Sequence, residues 1–410
     1  MPNINIASDA LRKGVDLVSG VVANRPVMPV TGGILVQTLE GGLVRLAATN
    51  LETALSVQVG AKVTAEMAIV LPARELVDTV KELPADRVEL STAKGTAVTV
   101  KAGAFRGTLK GMEADAFPLI PECPKGQAVH LDAPALLAAL KEALFSAAPD
   151  ADEARPVLKN VQVIIAADKP NLMVLVTADG FRMTIRGLVL PAAAPAMNVL
   201  VPAKSMAQLL KVATAEEPLY LWLPEGRRQI GFAQESLTLV SQLSEGTFPD
   251  FNTVMPRNFT TRTTAPLAEF RKAAKLADIM AREVGHSGRL KVATAGDGTG
   301  TLTLSAAAAE KGDNQMEVPV KVEGEPIEIG FNIKYLVDVL NVLDAAEVVL
   351  ETRAPNSPGV ISGAGRRDFR HVLMPLTPGG NGNGSGGAAV SAPATAAPVA
   401  SAAVPATVAA

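Results

Sequence analysis

An α+β fold made of three copies of one domain is what this sequence predicts, and three observations predict it. A strand leading into a helix recurs as IVLPARELVDTVKEL at 69–83, VLVPAKSMAQLLKVA at 199–213 and IGFNIKYLVDVLNVL at 329–343, with starts twice separated by 130 residues. A second helical pattern stands near the beginning of each unit, at Ser8–Val22, Pro134–Ala147 and Pro266–Ala281. Each unit also closes on a related segment, FPLIP at 117–121, FPDFNTVMP at 248–256 and FRHVLMPL at 369–376. Solenoid repeats run to about 20–50 residues, so the object repeating here is a whole domain.

The helices follow from apolar spacing at i, i+3, i+4 and i+7, which gathers one face. Leu76, Val77 and Val80 make that stripe in the first unit, Met206, Leu209 and Leu210 in the second, and Leu336, Val339 and Leu340 in the third. Ser8 and Asp132 are of the right type to cap helix starts, and Pro134 and Pro266 suit a first turn. Between the helices lie β-rich runs such as GLVRLAAT (42–49), NLMVLVTA (171–178) and GTLTLSAA (300–307). The domains are placed at 1–124, 125–257 and 258–377, each with two helices on one side of its sheets.

Composition narrows the class. With 48% apolar and 19% charged residues the chain has the make-up of a globular protein, and no apolar run approaches the roughly 18 residues of a membrane span. The start, MPNINIASDALRKG, lacks the basic-then-apolar order of a secretion signal, which makes the cytoplasm the expected location. Cys123 is the single cysteine, and His130, His286 and His371 lie far apart, so no metal-ligand spacing is present. The stretch 378–410 holds no charged residue and is expected to be a disordered Gly/Ala/Pro-rich tail. A net charge of −3 argues against a protein that grips nucleic acid over a broad basic face.

Seven stretches carry a specific resemblance: NRPVMPVTGGILV (24–36), LPARELVDTVKELP (71–84), RPVLKNV (155–161), TADGFRM (177–183), EGTFPDF (245–251), FNIKYLVDVLNVL (331–343) and HVLMPL (371–376). Together, in this order and on a triplicated chain, they resemble the β subunit of bacterial DNA polymerase III, the sliding clamp family, over residues 1–377. The resemblance implies a non-catalytic processivity factor. It implies a head-to-tail homodimer, a six-domain ring with helices inside and sheets outside, encircling double-stranded DNA without regard to sequence. Its other implied partners are the replicative polymerase's catalytic subunit, the clamp loader and further repair and replication proteins; no cofactor and no membrane are implied. Twelve helices of about 10 Å each would bound a hole roughly 28 Å across, wide enough for a duplex. The six helical segments hold twelve basic and ten acidic residues, so a slightly positive lining sits within an acidic chain. A ring that holds DNA by topology needs no more.

Site residues are implied in the same way. Arg25, Arg74, Arg155, Lys204, Asn332 and Tyr335 match positions near the DNA path, where basic side chains would touch phosphates without reading bases. A hydrophobic pocket for partner peptides draws on Leu158, Ala178, Gly180, Phe181, Arg182 and Met183, on Pro249, Thr253 and Val254, and on Val372, Leu373, Met374, Pro375 and Leu376. Phe181 stands where a histidine is familiar and Thr253 where a basic residue is. The chain also continues some 30 residues past the usual end, and that tail is expected to pass the pocket mouth and lower partner affinity. Dimer contacts are expected from Phe105, Arg106 and Leu109 on one side and from Ile279 and Met280 on the other.

Two other classes stand beside this reading. An enzyme would need a catalytic constellation, and GDGTG at 296–300 opens no helix as a nucleotide fingerprint must; Asp179 has no partner in sequence for acid–base work. A multi-domain scaffold that does not encircle DNA is the remaining alternative.

Overall fold

The computed structural model describes residues 3–84, 86–92, 95–124, 126–256 and 258–376; the expected tail at 378–410 lies outside them. Seven helices occur among these residues: α1 Ser8–Ser19, α2 Ala73–Lys81, α3 Ala133–Leu144, α4 Ala203–Val212, the single turn α5 Phe251–Val254, α6 Leu267–Ala281 and α7 Ile333–Val342. The six longer ones are those expected, with shorter ends. Ser8 is the first helical residue, with Ala7 at the cap, and Pro266 is itself the cap of α6, so neither takes its expected position. Asp132 directly precedes α3, and Pro134 falls in its first turn, as expected.

The chain divides into two compact units, residues up to Pro134 with Lys204–Leu243, and Ala135–Ala203 with Ser244 onward. The middle repeat contributes to both, because strands of successive repeats pair directly. In the first unit a sheet runs through strands 129–131, 219–222, 229–233, 237–242, 53–63, 4–7, 87–92, 97–102 and 105–110, with strands 33–39, 43–49 and 68–72 branching from it. Leu11, Val15 and Val18 of α1 and Leu76 and Val80 of α2 are buried against it. Gly14 allows the close approach, since a Cβ there would lie 2.6 Å from Leu46 Cδ1.

The second unit carries strands in the order 197–202, 160–165, 172–178, 182–189, 369–373, 359–363, 347–352, 261–266, 312–324, 299–308, 287–294 and 327–332. Its larger core joins α6 and α7 to the sheet through Phe270, Phe331, Leu336, Val339 and Phe369, all nearly or fully buried. The long strand Gly312–Gly324 shows why such a sequence makes a half-buried strand. Val318, Val320 and Val322 face inward while Glu317, Lys321 and Glu323 alternate outward.

The repeats match in detail at one hairpin turn. Asn50 Oδ1 accepts from the amides of Glu52 and Thr53 at 3.1 and 2.8 Å, and Asp179 Oδ1 accepts from those of Phe181 and Arg182 at 2.9 and 3.0 Å. The residue between is left-handed in both, Leu51 at φ 73° and Gly180 at φ 91°. Each turn launches a strand that pairs with the next repeat, 53–57 with 237–241 in one unit and 182–186 with 369–373 in the other.

Candidate partner-binding cleft

An apolar cleft of about 460 Å³, counted out to its open mouth, lies in the second unit. Four segments build it: the turn at Pro156–Lys159 through Leu158, the hairpin that turns at Gly180, the stretch from Phe248 to Val254, and the strand end at Val372 and Met374. Nine of the residues expected there come together in its lining: Leu158, Ala178, Gly180, Arg182, Met183, Pro249, Val254, Val372 and Met374. Five do not line it. Leu373 is fully buried in the core on the opposite face of its strand, the outcome of side-chain alternation. Phe181 is 39% exposed at the turn tip. Thr253 is exposed, and its hydroxyl donates to the Asp250 carbonyl at 2.7 Å. Pro375 and Leu376 continue past the cleft, the Leu376 amide donating to Gly330 O at 2.8 Å. Phe248 and Phe251 complete the wall; both sit in EGTFPDF, so the signal for them was the aromatic pair around Pro249.

Polar groups fix the cleft's shape. The Arg182 side chain donates to Asp179 Oδ2 at 2.9 Å, to Asp338 Oδ2 at 2.7 Å and to the Phe145 carbonyl at 2.8 Å. Its guanidinium also sits 4.2 Å from the Tyr335 ring centre and 5.4 Å from that of Phe145. Burial raises the Tyr335 phenol above its ordinary range, helped by the Asp179 charge, and leaves it neutral. Arg155 is paired with Asp152 at 2.9 Å and lies over the Phe181 ring at 5.5 Å. Asp179 is committed to the turn and to Arg182, not free for acid–base work.

The residues expected near DNA are spread over both units. Arg25 is exposed in the loop after α1. Arg74 is 90% exposed on α2, 4.0 Å from Asp78. Lys204 lies in the first turn of α4 and pairs with Glu52. Asn332 caps α7, its Oδ1 accepting from the Tyr335 amide at 3.2 Å. Asn332 and Tyr335 therefore already do structural work, and Tyr335 stands against Arg182 of the cleft wall. GDGTG at 296–300 forms a hairpin turn between strands 287–294 and 299–308.

This triplicated α+β chain, with repeats joined strand to strand, has the fold of a DNA clamp. Solved structures of this class match it over nearly the whole described chain. A DNA polymerase sliding clamp from Bacillus subtilis superposes with a TM-score of 0.84 at 23% identity, over 91% of this chain and 98% of that one. The DNA polymerase III subunit beta from Pseudomonas aeruginosa gives 0.80 at 28% identity, over 91% and 99%. Family models for the N-terminal, central and C-terminal domains of the DNA polymerase III beta subunit match residues 2–121, 131–250 and 252–377. The beta sliding clamp of Pseudomonas putida is 29% identical over 91% of this chain and 99% of its own length, and that of Synechococcus elongatus 28% over 89% and 96%. The chain belongs to the DNA polymerase III beta subunit family, and is thus a non-catalytic processivity factor of the sliding-clamp type.

Proposed function

We propose that two copies of this chain close into a six-domain ring around duplex DNA, and that the cleft takes short peptides from the replicative polymerase, the clamp loader and other clamp users in the cytoplasm. The cleft carries this reading. Its apolar lining, a few fixed polar groups and an open mouth suit an extended peptide with buried anchors. Among the described residues no helix is long and apolar enough to cross a membrane. Arg25, Arg74, Arg155 and Lys204 would make loose phosphate contacts; Tyr335, stacked on Arg182, fits a support of the cleft wall better, and Asn332 the cap of α7.

Ring closure finds support in strand edges. The repeat junctions pair a strand following a three-residue turn with one that starts at Leu237 or Phe369. The third repeat has such a turn at 309–311, and among the described residues 312–320 pair only with 299–308. The first repeat has the counterpart strand, Phe105–Lys110, which among the described residues pairs only with 97–102. A second copy would satisfy both edges. Carrying over the register of Val57 with Leu237 and of Arg186 with Phe369 sets Phe105 opposite Met316 of the partner subunit. Ile279, 49% exposed, and Met280 lie at the end of α6, beside this strand, where Asn314 Nδ2 donates to Leu276 O at 2.6 Å. Domain limits at 124, 257 and 377 fit this scheme.

Fluorescence anisotropy with a labelled Gly-Leu-Ser-Leu-Gly peptide tests the cleft, the two leucines sharing one face of an extended chain. Binding that is lost in Ala178→Trp, which fills the cleft, supports the reading; equal binding in both proteins rejects it.

A further inference from the structure

The strand pair beneath the cleft has two unlike faces. Arg182 stands opposite Leu373, Thr184 opposite His371 and Arg186 opposite Phe369, while Met183 and Val372 between them point to the cleft. At the end of this pair beside the cleft mouth, Arg182 lines the cleft and is held by Asp179 and Asp338, with Tyr335 over it. At the other end Arg186 and Arg366 share Glu142 and Asp368. In the middle, fully buried His371 places Nδ1 2.9 Å from Thr184 Oγ1. Ser146 donates to that hydroxyl at 2.7 Å, and Thr177, 2.7 Å from Ser146, donates to Ala143 O. His371 Nε2 has no partner among the described residues, and the Phe145 ring lies 5.2 Å away.

The matching strand pair of the other unit has Leu55 opposite Leu239 at this level, both fully buried. A hydroxyl and an imidazole replace that apolar pair only at the junction that carries the cleft. We propose that His371 is a positioning residue for the cleft, holding its floor closed while neutral and releasing it when protonated; this rests on the peptide-binding reading above. Protonation would put a full charge and two N–H donors on a buried ring with one polar contact among the described residues, next to Arg182, with every nearby carboxylate already committed to an arginine. Burial first, and the Arg182 charge second, push His371 well below the ordinary histidine range. The sign follows. The closed form favours neutral imidazole, the open form titrates near 6.5, and opening gains about tenfold per pH unit below that value.

Hydrogen exchange on the full chain at pH 7.5, 6.5 and 5.5, corrected for intrinsic rates, reads the opening directly. Protection across 182–186 and 369–373 should fall about tenfold between pH 7.5 and 5.5, with about fivefold of that below pH 6.5, while 53–57 and 237–241 hold as a control. His371→Leu, which copies the other junction, should remove the fall, and saturating Gly-Leu-Ser-Leu-Gly peptide should oppose it. Protection independent of pH, or the same fall in His371→Leu, overturns the proposal. Should that variant not fold, NMR titration of wild-type His371 decides, an ordinary or raised value overturning the proposal. A pH-dependent fall in a protein that binds no peptide at pH 7.5 would count against the cleft reading instead.

Discussion

Arg182 Nη1 donates to Asp338 Oδ2 at 2.7 Å, tying the wall of the cleft to helix α7 across two repeats. Arg182 is only 9% exposed, and its Nε and Nη2 donate to Asp179 and to the Phe145 carbonyl. Removing it leaves Asp179 and Asp338 without their cation. Arg182→Ala should cost about 3 kcal/mol of stability and abolish peptide binding, read by urea denaturation and anisotropy. Asp338→Asn keeps a hydrogen-bond acceptor and should cost about 1 kcal/mol.

Gly180 and Leu51 hold the same left-handed place in successive repeats, with opposite consequences for substitution. A Cβ at Gly180 would lie 1.8 Å from Arg155 Nη1, so Gly180→Ala must displace Arg155 as well as strain the backbone. A loss of about 2 kcal/mol is expected. Leu51 already bears such strain and is 42% exposed. Leu51→Gly should gain up to about 1 kcal/mol. Thermal denaturation of both variants checks the pair.

Much of this was legible in the sequence. Repeats at 130-residue spacing gave the helices because amphipathic stripes are a local signal, and family motifs gave nine residues of the cleft lining. What escaped was set by distant partners. Tyr335 looks like an exposed helix residue until Arg182 is brought against it from 153 positions away. The Thr184–His371 pair depends on strand register, which no local pattern states. Ser8 and Pro266 were misplaced by one residue because strands run directly into their helices.

The register proposed for the dimer predicts a cross-link. In a Cys123→Ser background, Phe105→Cys with Met316→Cys should form an intermolecular disulfide, since directly opposed residues hold their Cβ atoms about 5 Å apart. Non-reducing electrophoresis reads it. Phe105→Lys alone should shift sedimentation equilibrium toward monomer, and an unchanged dimer would reject this edge.

Deleting 378–410 tests the expectation that this segment competes at the mouth of the cleft. Described structure ends at Leu376, two residues beyond Met374 in the cleft wall. Even a weak tethered competitor should lower affinity about twofold or more, so truncation should tighten peptide binding by that factor. Equal affinity in the two proteins would show that the tail does not compete.

Encirclement of DNA is the central claim, and topology tests it most directly. The protein is loaded on nicked circular DNA by a clamp loader, and retention is measured by gel filtration before and after the circle is cut once. A ring stays on the closed circle and is lost from the linear form by sliding off its ends. Equal retention on both would contradict the account.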